Sequence, residues 1–182
     1  AMAGRAMIRR EVLQGLGALA LWPGLARAEA ATPFSEETLR ALAREVAARP
    51  YAPRPTVPRA WRDIGYDAYR AIRFRSDEAI WSETDTTLEL DLFAPGLYFP
   101  HPVEVNLVED GVARTLPFDF SRFETGEQVP DLPLEGDLGY SGIRLRAEMN
   151  APGEFREYAV FQGASYFRVI ARDLAYGLSA RA

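Results

Sequence analysis

Three stretches of this chain alternate apolar and polar residues with a period of two, a pattern that fits only strands with one dry and one wet face. In Thr87-Leu88-Glu89-Leu90-Asp91-Leu92-Phe93, the leucines share one face and Glu89 and Asp91 the other. Val103-Glu104-Val105-Asn106-Leu107 and Gly142-Ile143-Arg144-Leu145-Arg146-Ala147-Glu148 repeat the pattern. Half-polar strands belong to antiparallel sheets, because buried parallel strands are apolar on both faces. Glu109-Asp110-Gly111-Val112 is a tight-turn signal that returns the chain into a partner strand reaching Leu116. Asn150-Ala151-Pro152-Gly153 is a second turn, and the strand beginning at Glu157-Tyr158-Ala159-Val160-Phe161-Gln162 follows it. Tyr166 to Ile170 and Ala175 to Ala180 are further strand-like runs. Strand character persists to the last residue, which is expected to leave an unpaired edge. The fold class expected is mainly β, an antiparallel β-sandwich.

A short N-terminal helical arm precedes it. Ser35 is placed to cap a helix, Phe34 and Leu39 to staple it, and Glu36 and Glu37 to face its positive end. Leu39, Leu42 and Val46 then form one apolar stripe, so the helix is expected to pack by one side. Pro50 ends it, and Pro53, Pro55 and Pro58 make an extended connector. A second short helical piece is expected around Arg59 to Tyr69.

The first thirty residues have another character. Arg9 and Arg10 stand ahead of a mildly apolar run, Val12 to Leu25, which is shorter than the roughly 20 residues a permanent membrane anchor needs. Ala26-Arg27-Ala28 is a small-x-small pattern, placing cleavage after Ala28, with Ala28-Glu29-Ala30 as the overlapping alternative. The paired arginines, the weak hydrophobicity and Arg27 near the cut resemble a twin-arginine signal, which exports folded proteins. The rival reading is an amphipathic helix that stays on the protein. Loss of Arg5, Arg9, Arg10, Arg27 and Glu11 with the leader takes the chain from 21 basic and 26 acidic residues to 17 and 25. The exported part is thus distinctly acidic, which disfavours adhesion to an anionic membrane surface. No stable membrane insertion is expected after signal removal.

Every basic residue is Arg, yet acids outnumber them and the whole chain carries a formal charge of -5, the wrong sign for a nucleic-acid partner. With no Cys and one His, disulfides, thiolate nucleophiles and Cys- or His-clustered metal sites are excluded, and no cofactor is expected. His101, in the stiff turn Phe99-Pro100-His101-Pro102, lacks the G-x-S-x-G that a nucleophile elbow would show. Glycoside hydrolysis needs one protonated and one ionised carboxyl across the scissile bond. Glu89 with Asp91, and Glu104 with Asn106, read instead as the solvated faces of amphipathic strands. Aromatic rings beside hydrogen-bonding groups suit the C–H faces and hydroxyl edges of sugars. On that ground Tyr98, His101, Tyr140, Tyr166 and Arg168 are the candidate carbohydrate contacts; no residue is assigned as catalytic or metal-binding.

Tyr66-Asp67-Ala68-Tyr69-Arg70-Ala71-Ile72-Arg73-Phe74-Arg75 with Ala79-Ile80-Trp81, and Pro102-Val103-Glu104-Val105-Asn106, resemble stretches of the bacterial periplasmic glucan biosynthesis proteins G and D. So do Asp137-Leu138-Gly139-Tyr140-Ser141-Gly142-Ile143-Arg144-Leu145, Val160-Phe161-Gln162-Gly163-Ala164-Ser165-Tyr166-Phe167-Arg168 and Tyr176-Gly177-Leu178-Ser179-Ala180-Arg181. The leader is closer to the D type. The resemblance implies a periplasmic protein of osmoregulated periplasmic glucan synthesis or processing, whose partner is a glucan with a β-1,2-linked backbone. It implies a sandwich of mutarotase-like topology, incomplete here. Some members resemble inverting endo-β-1,2-glucanases, but their acid and base lie beyond anything matched, so whether this chain is an enzyme stays open. The organisation implied is a signal peptide over 1–28, helix and Pro-rich connector over 29–60, and the first part of the N-terminal β-sandwich domain over 61–182. The rivals are a stand-alone carbohydrate-binding sandwich without catalysis and a non-functional truncated product.

Overall fold

The computed structural model describes residues 31–136, 138–163, 166–171 and 179–181. The leader, including Arg9, Arg10 and the cut after Ala28, lies outside the described residues. The described residues open with β1 (Thr32–Pro33) and α1 (Glu36–Ala48), then α2 (Arg59–Arg62), α3 (Tyr66–Arg70), β2 (Ile72–Phe74) and β3 (Leu88–Phe93). The hairpin β4 (Asn106–Glu109) and β5 (Val112–Thr115) follows, then β6 (Phe123–Thr125), β7 (Gly142–Glu148), β8 (Phe155–Gln162), β9 (Tyr166–Val169) and β10 (Ser179–Arg181). The described strands form three sheets, ordered β1-β5-β4, β10-β9-β8-β7-β3 and β2-β6. Every strand pair is antiparallel, as the half-polar alternation requires. The described residues are mainly antiparallel β with few helices, consistent with a sandwich, and among them no barrel closes.

The β4–β5 turn is set by Asp110 and Gly111, both left-handed at φ 49 and 75. Two consecutive positive φ values match the twist of a two-residue hairpin, and Asp and Gly are residue types that accept them. The dry face of β3 builds the core: Leu90 and Leu92 pack with Val57, Trp61, Ala94, Phe123, Leu138 and Tyr140, while Phe118 and Phe120 lie against the same cluster. Trp61 is fully buried, its ring edge-on to Phe118 and Phe120 at 6.0 and 5.5 Å, and its indole N–H donates to Pro133 O at 2.8 Å. Burying that N–H with a partner avoids the cost of an unsatisfied donor.

Three expectations are corrected. The helix forms as read, with Ser35 and Thr38 in a reciprocal capping box and Arg40 paired with Glu36 at 2.5 Å. It does not pack by one side, since no residue of α1 is buried and Leu39, Leu42 and Val46 are all more than half exposed. Phe34 N–H bonds Gly111 O at 2.8 Å just ahead of it and the connector is held farther on by Val57 N–H to Pro100 O at 2.9 Å, but no described residue covers its stripe. The run 103–107 is not one strand. Val103 N–H bonds Tyr140 O, whereas Val105 O accepts from Leu116 N–H, so its backbone changes partner midway and the ladder starts only at Asn106. Finally, the second face of β3 is not wet: Asp91 is 1% exposed.

Candidate functional site

The register of the five-stranded sheet explains Asp91. Glu89 stands opposite Arg146 and Asp91 opposite Arg144 across β3 and β7, and Arg146 stands opposite Glu157 on β8. Arg144 Nη2 donates to Asp91 Oδ2 at 2.6 Å, Arg146 Nε to the same oxygen at 3.0 Å, and Arg146 Nη2 pairs with Glu89 Oε2 at 2.7 Å. Arg168 of β9 reaches Glu157 Oε1 at 2.6 Å. Two guanidiniums on one carboxylate offset the desolvation that would otherwise expel it from the interior. Each of these acids accepts from an arginine, so ion pairs clamp β3 to β7 and β8 to β9 on this face. Glu89, Asp91 and Glu157 are thus each held by an arginine.

At the β7–β8 turn this face opens into a depression of about 520 Å³ lined by Ser76, Glu89, Arg146 and Gly153 to Arg156. At its other end lies the segment from Ala94 to Pro102, anchored at almost every residue. Tyr69 O–H and Ser141 Oγ both donate to Ala94 O, at 2.9 and 2.8 Å, and Gln162 Nε2 donates to Ser141 Oγ at 3.2 Å. Burial pushes the Tyr69 hydroxyl up to about 12, against the smaller lowering effect of its bonds to Ser141 and Gln162. Arg54 Nη2 donates to Pro102 O at 3.0 Å, and His101 Nδ1 lies 3.0 Å from Pro55 O. A carbonyl only accepts, so that ring nitrogen carries the proton and His101 straps the proline connector to the turn. The ring of Phe99 sits over the β8–β9 turn, its Cδ1 3.0 Å from where a Cβ at Gly163 would stand.

The candidate contacts divide accordingly. Tyr98 is 72% exposed at the tip of this segment. Close to it in sequence, His101 is half-buried and engaged with Pro55. Phe99 over Gly163 brings the segment to the turn leading into β9, whose first residue Tyr166 pairs with Gln162. The side chain of Tyr166 lies outside the described residues. Farther along the same strand, Arg168 is ion-paired with Glu157. Tyr140 is a correction: at 1% exposure it belongs to the core, its O–H donating to Pro117 O at 2.9 Å and accepting from Asp119 N–H at 3.1 Å. Its ring packs against Phe118 and Phe123 and has no free face for a sugar. What sequence reasoning missed is the Asp91–Arg144–Arg146 lattice, although its signal was present: two acids two apart in one strand, two arginines two apart in another. Among the described residues no group of three or more acidic or His side chains is arranged to hold a metal ion.

A model of the family described as "Periplasmic glucan biosynthesis protein, MdoG" matches residues 34–182. Glucans biosynthesis protein G of Rhodopseudomonas palustris strain BisA53 is 38% identical over 181 residues, covering 96% of this chain and 36% of that protein. The protein of the same name from Vibrio cholerae O395 is 43% identical over 150 residues, 81% of this chain and 27% of its own length. That of Ralstonia nicotianae is 42% identical over 158 residues, 86% and 31% respectively. The chain thus spans about a third of the length of the curated relatives it matches.

Proposed function

The chain belongs to the MdoG family of periplasmic glucan biosynthesis proteins, and from that premise we propose that it supplies part of the wall of a glucan-binding cleft. Its partner is the β-1,2-linked polymer, and any bond breaking uses carboxyls other than the arginine-paired ones of the five-stranded sheet. The observation that carries this reading is the family match over 34–182 joined to the tip at Tyr98, the one strongly exposed ring among the candidate contacts with described side chains. His101, Tyr166 and Arg168 are the further contacts proposed, around the same end and strand of the sheet. Residues 1–28 act as the export leader, 29–60 as arm and connector, and 61–182 as the first part of a sandwich domain in the periplasm.

The uneven cover of the five-stranded sheet supports the reading of a part and not a stand-alone module. Its β3 side is sealed by the Trp61 cluster, whereas Phe161 and Val169 on the same apolar face are 45% and 41% exposed. Such a bare apolar strip is what a further layer of a sandwich covers. The test is titration of the purified chain with linear β-1,2-glucan, with product analysis on the same samples. Saturable binding without release of shorter glucans is expected. Release of shorter products would overturn the division of labour, and absence of saturable binding at millimolar glucan would overturn the glucan partner.

A further inference from the structure

From Glu89 to Val103, Tyr98 is the only exposed residue. Around it the backbone is held in a conformation most side chains avoid: Gly96 has φ 124 and Leu97 φ 45. A bulky residue at positive φ is an outlier that persists only where surrounding contacts over-determine it. Those contacts are present. Leu97 N–H donates to Trp61 O at 3.0 Å, Gly96 N–H to Phe99 O at 3.0 Å, and Phe99 N–H to Gly96 O at 2.7 Å. A Cβ at Gly96 would stand 2.6 Å from Trp61 O, so the turn lies directly on the backbone of the most deeply buried aromatic in the core. Strain, three backbone bonds and a core anchor are thus concentrated on a tip whose single outward feature is one tyrosine ring.

We infer that Gly96 and Leu97 are positioning residues, whose left-handed turn on the Trp61 carbonyl holds Tyr98 as a preset stacking platform for a pyranose ring. The inference rests on the glucan-binding reading above for its ligand, but not for its geometry. A ring held before the ligand arrives loses little freedom on binding, which is how rigid tyrosines contribute affinity. The residues around it therefore act on binding through backbone shape and not through contact.

Two substitutions at one position separate shape from packing. Asn accepts a left-handed backbone but removes apolar packing, whereas Val keeps apolar packing but resists positive φ. Titration with linear β-1,2-glucan is expected to find Leu97→Asn within about twofold of the parent chain. Leu97→Val is expected to be weakened about tenfold, as is Tyr98→Ala, the size of a lost aromatic stacking contact. Equal affinities for Leu97→Asn and Leu97→Val, or the reverse order, would show that the turn acts by packing and overturn the assignment. Amide exchange at Leu97, read without ligand, keeps the two ideas apart. Protection in the parent and in Leu97→Asn, lost in Leu97→Val, supports the preset turn even where glucan fails to bind, and that failure then counts against the ligand alone. Equal exchange in all three chains refutes the positioning role.

Discussion

Helix α1 and strand β3 carry equally regular amphipathic patterns, and the fold treats them in opposite ways. Leu39, Leu42 and Val46 make a continuous stripe on α1, yet each is more than half exposed. Leu90 and Leu92 of β3 are 4% and 1% exposed, and even Asp91 between them is taken out of water. Local support does not explain the difference, because α1 has the better of it: a capping box, acidic residues in its first turn and pairs between Arg40 and Glu36 and between Arg49 and Glu45. What β3 has is neighbours from far along the chain, Arg144 and Arg146 on one face and Trp61, Phe123 and Leu138 on the other. A pattern states which face seeks cover; only distant residues provide it. An isolated helix of 13 residues is marginal in water, so α1 holds its shape by caps, surface pairs and the tether at Phe34.

The sharpest way to break this contrast is to truncate one leucine in each element. Leu92→Ala should lower unfolding stability by about 2–5 kcal/mol, the range for a buried leucine that leaves a cavity, as read from denaturant titration. A loss below about 1 kcal/mol would mean that the Trp61 cluster closes over the gap and that β3 is less committed to the core than its burial indicates.

Tyr69, which ties the residue just after β3 to the core, offers an intermediate effect under pH control. Its hydroxyl is held above its ordinary value of 10.0, up to about 12, because burial disfavours the phenolate. For an acid raised on folding, the neutral form is favoured in the native state. Its contribution is therefore complete below about pH 10 and disappears as pH rises through about 12. Stability measured over that window should fall in the parent chain, and Tyr69→Phe should flatten the fall. Identical alkaline profiles would show that Tyr69 ionises as freely in the folded chain as in the unfolded one.

The smallest effect is expected at Leu42. Replacing an exposed leucine by alanine, the best helix former, should change stability by no more than about 0.5 kcal/mol. A loss above about 1.5 kcal/mol would reveal that α1 is covered in solution and would dissolve the contrast with β3.

Legibility followed the same division. The Ser35 cap, the Pro50 stop, the Asp110–Gly111 turn and the alternation of β7 were all readable, because each depends on residues within a few positions of one another. β1, β2 and β6 were not read, since strands of two or three residues are too short to display a period. Tyr140 was misplaced for a related reason. Gly139-Tyr140-Ser141-Gly142 looks locally like an exposed turn, and only the carbonyl of Pro117 and the rings of Phe118 and Phe123 make it core. Among the candidate contacts, Tyr98 was legible as an aromatic in a loop, but the strained turn beneath it was not, because its anchor Trp61 is 36 positions away.

From the amino acids alone came the antiparallel character, the helical arm and its cap, the acidic charge balance of the chain and the absence of thiol chemistry, together with the likeness to the glucan proteins. All of these are properties of composition or of neighbours in the chain. Tertiary structure decided which apolar faces found cover, how a buried aspartate was neutralised, and which of several tyrosines was turned outward. Those outcomes depend on contacts between segments tens of residues apart, whose burial and hydrogen-bond energies no local period encodes.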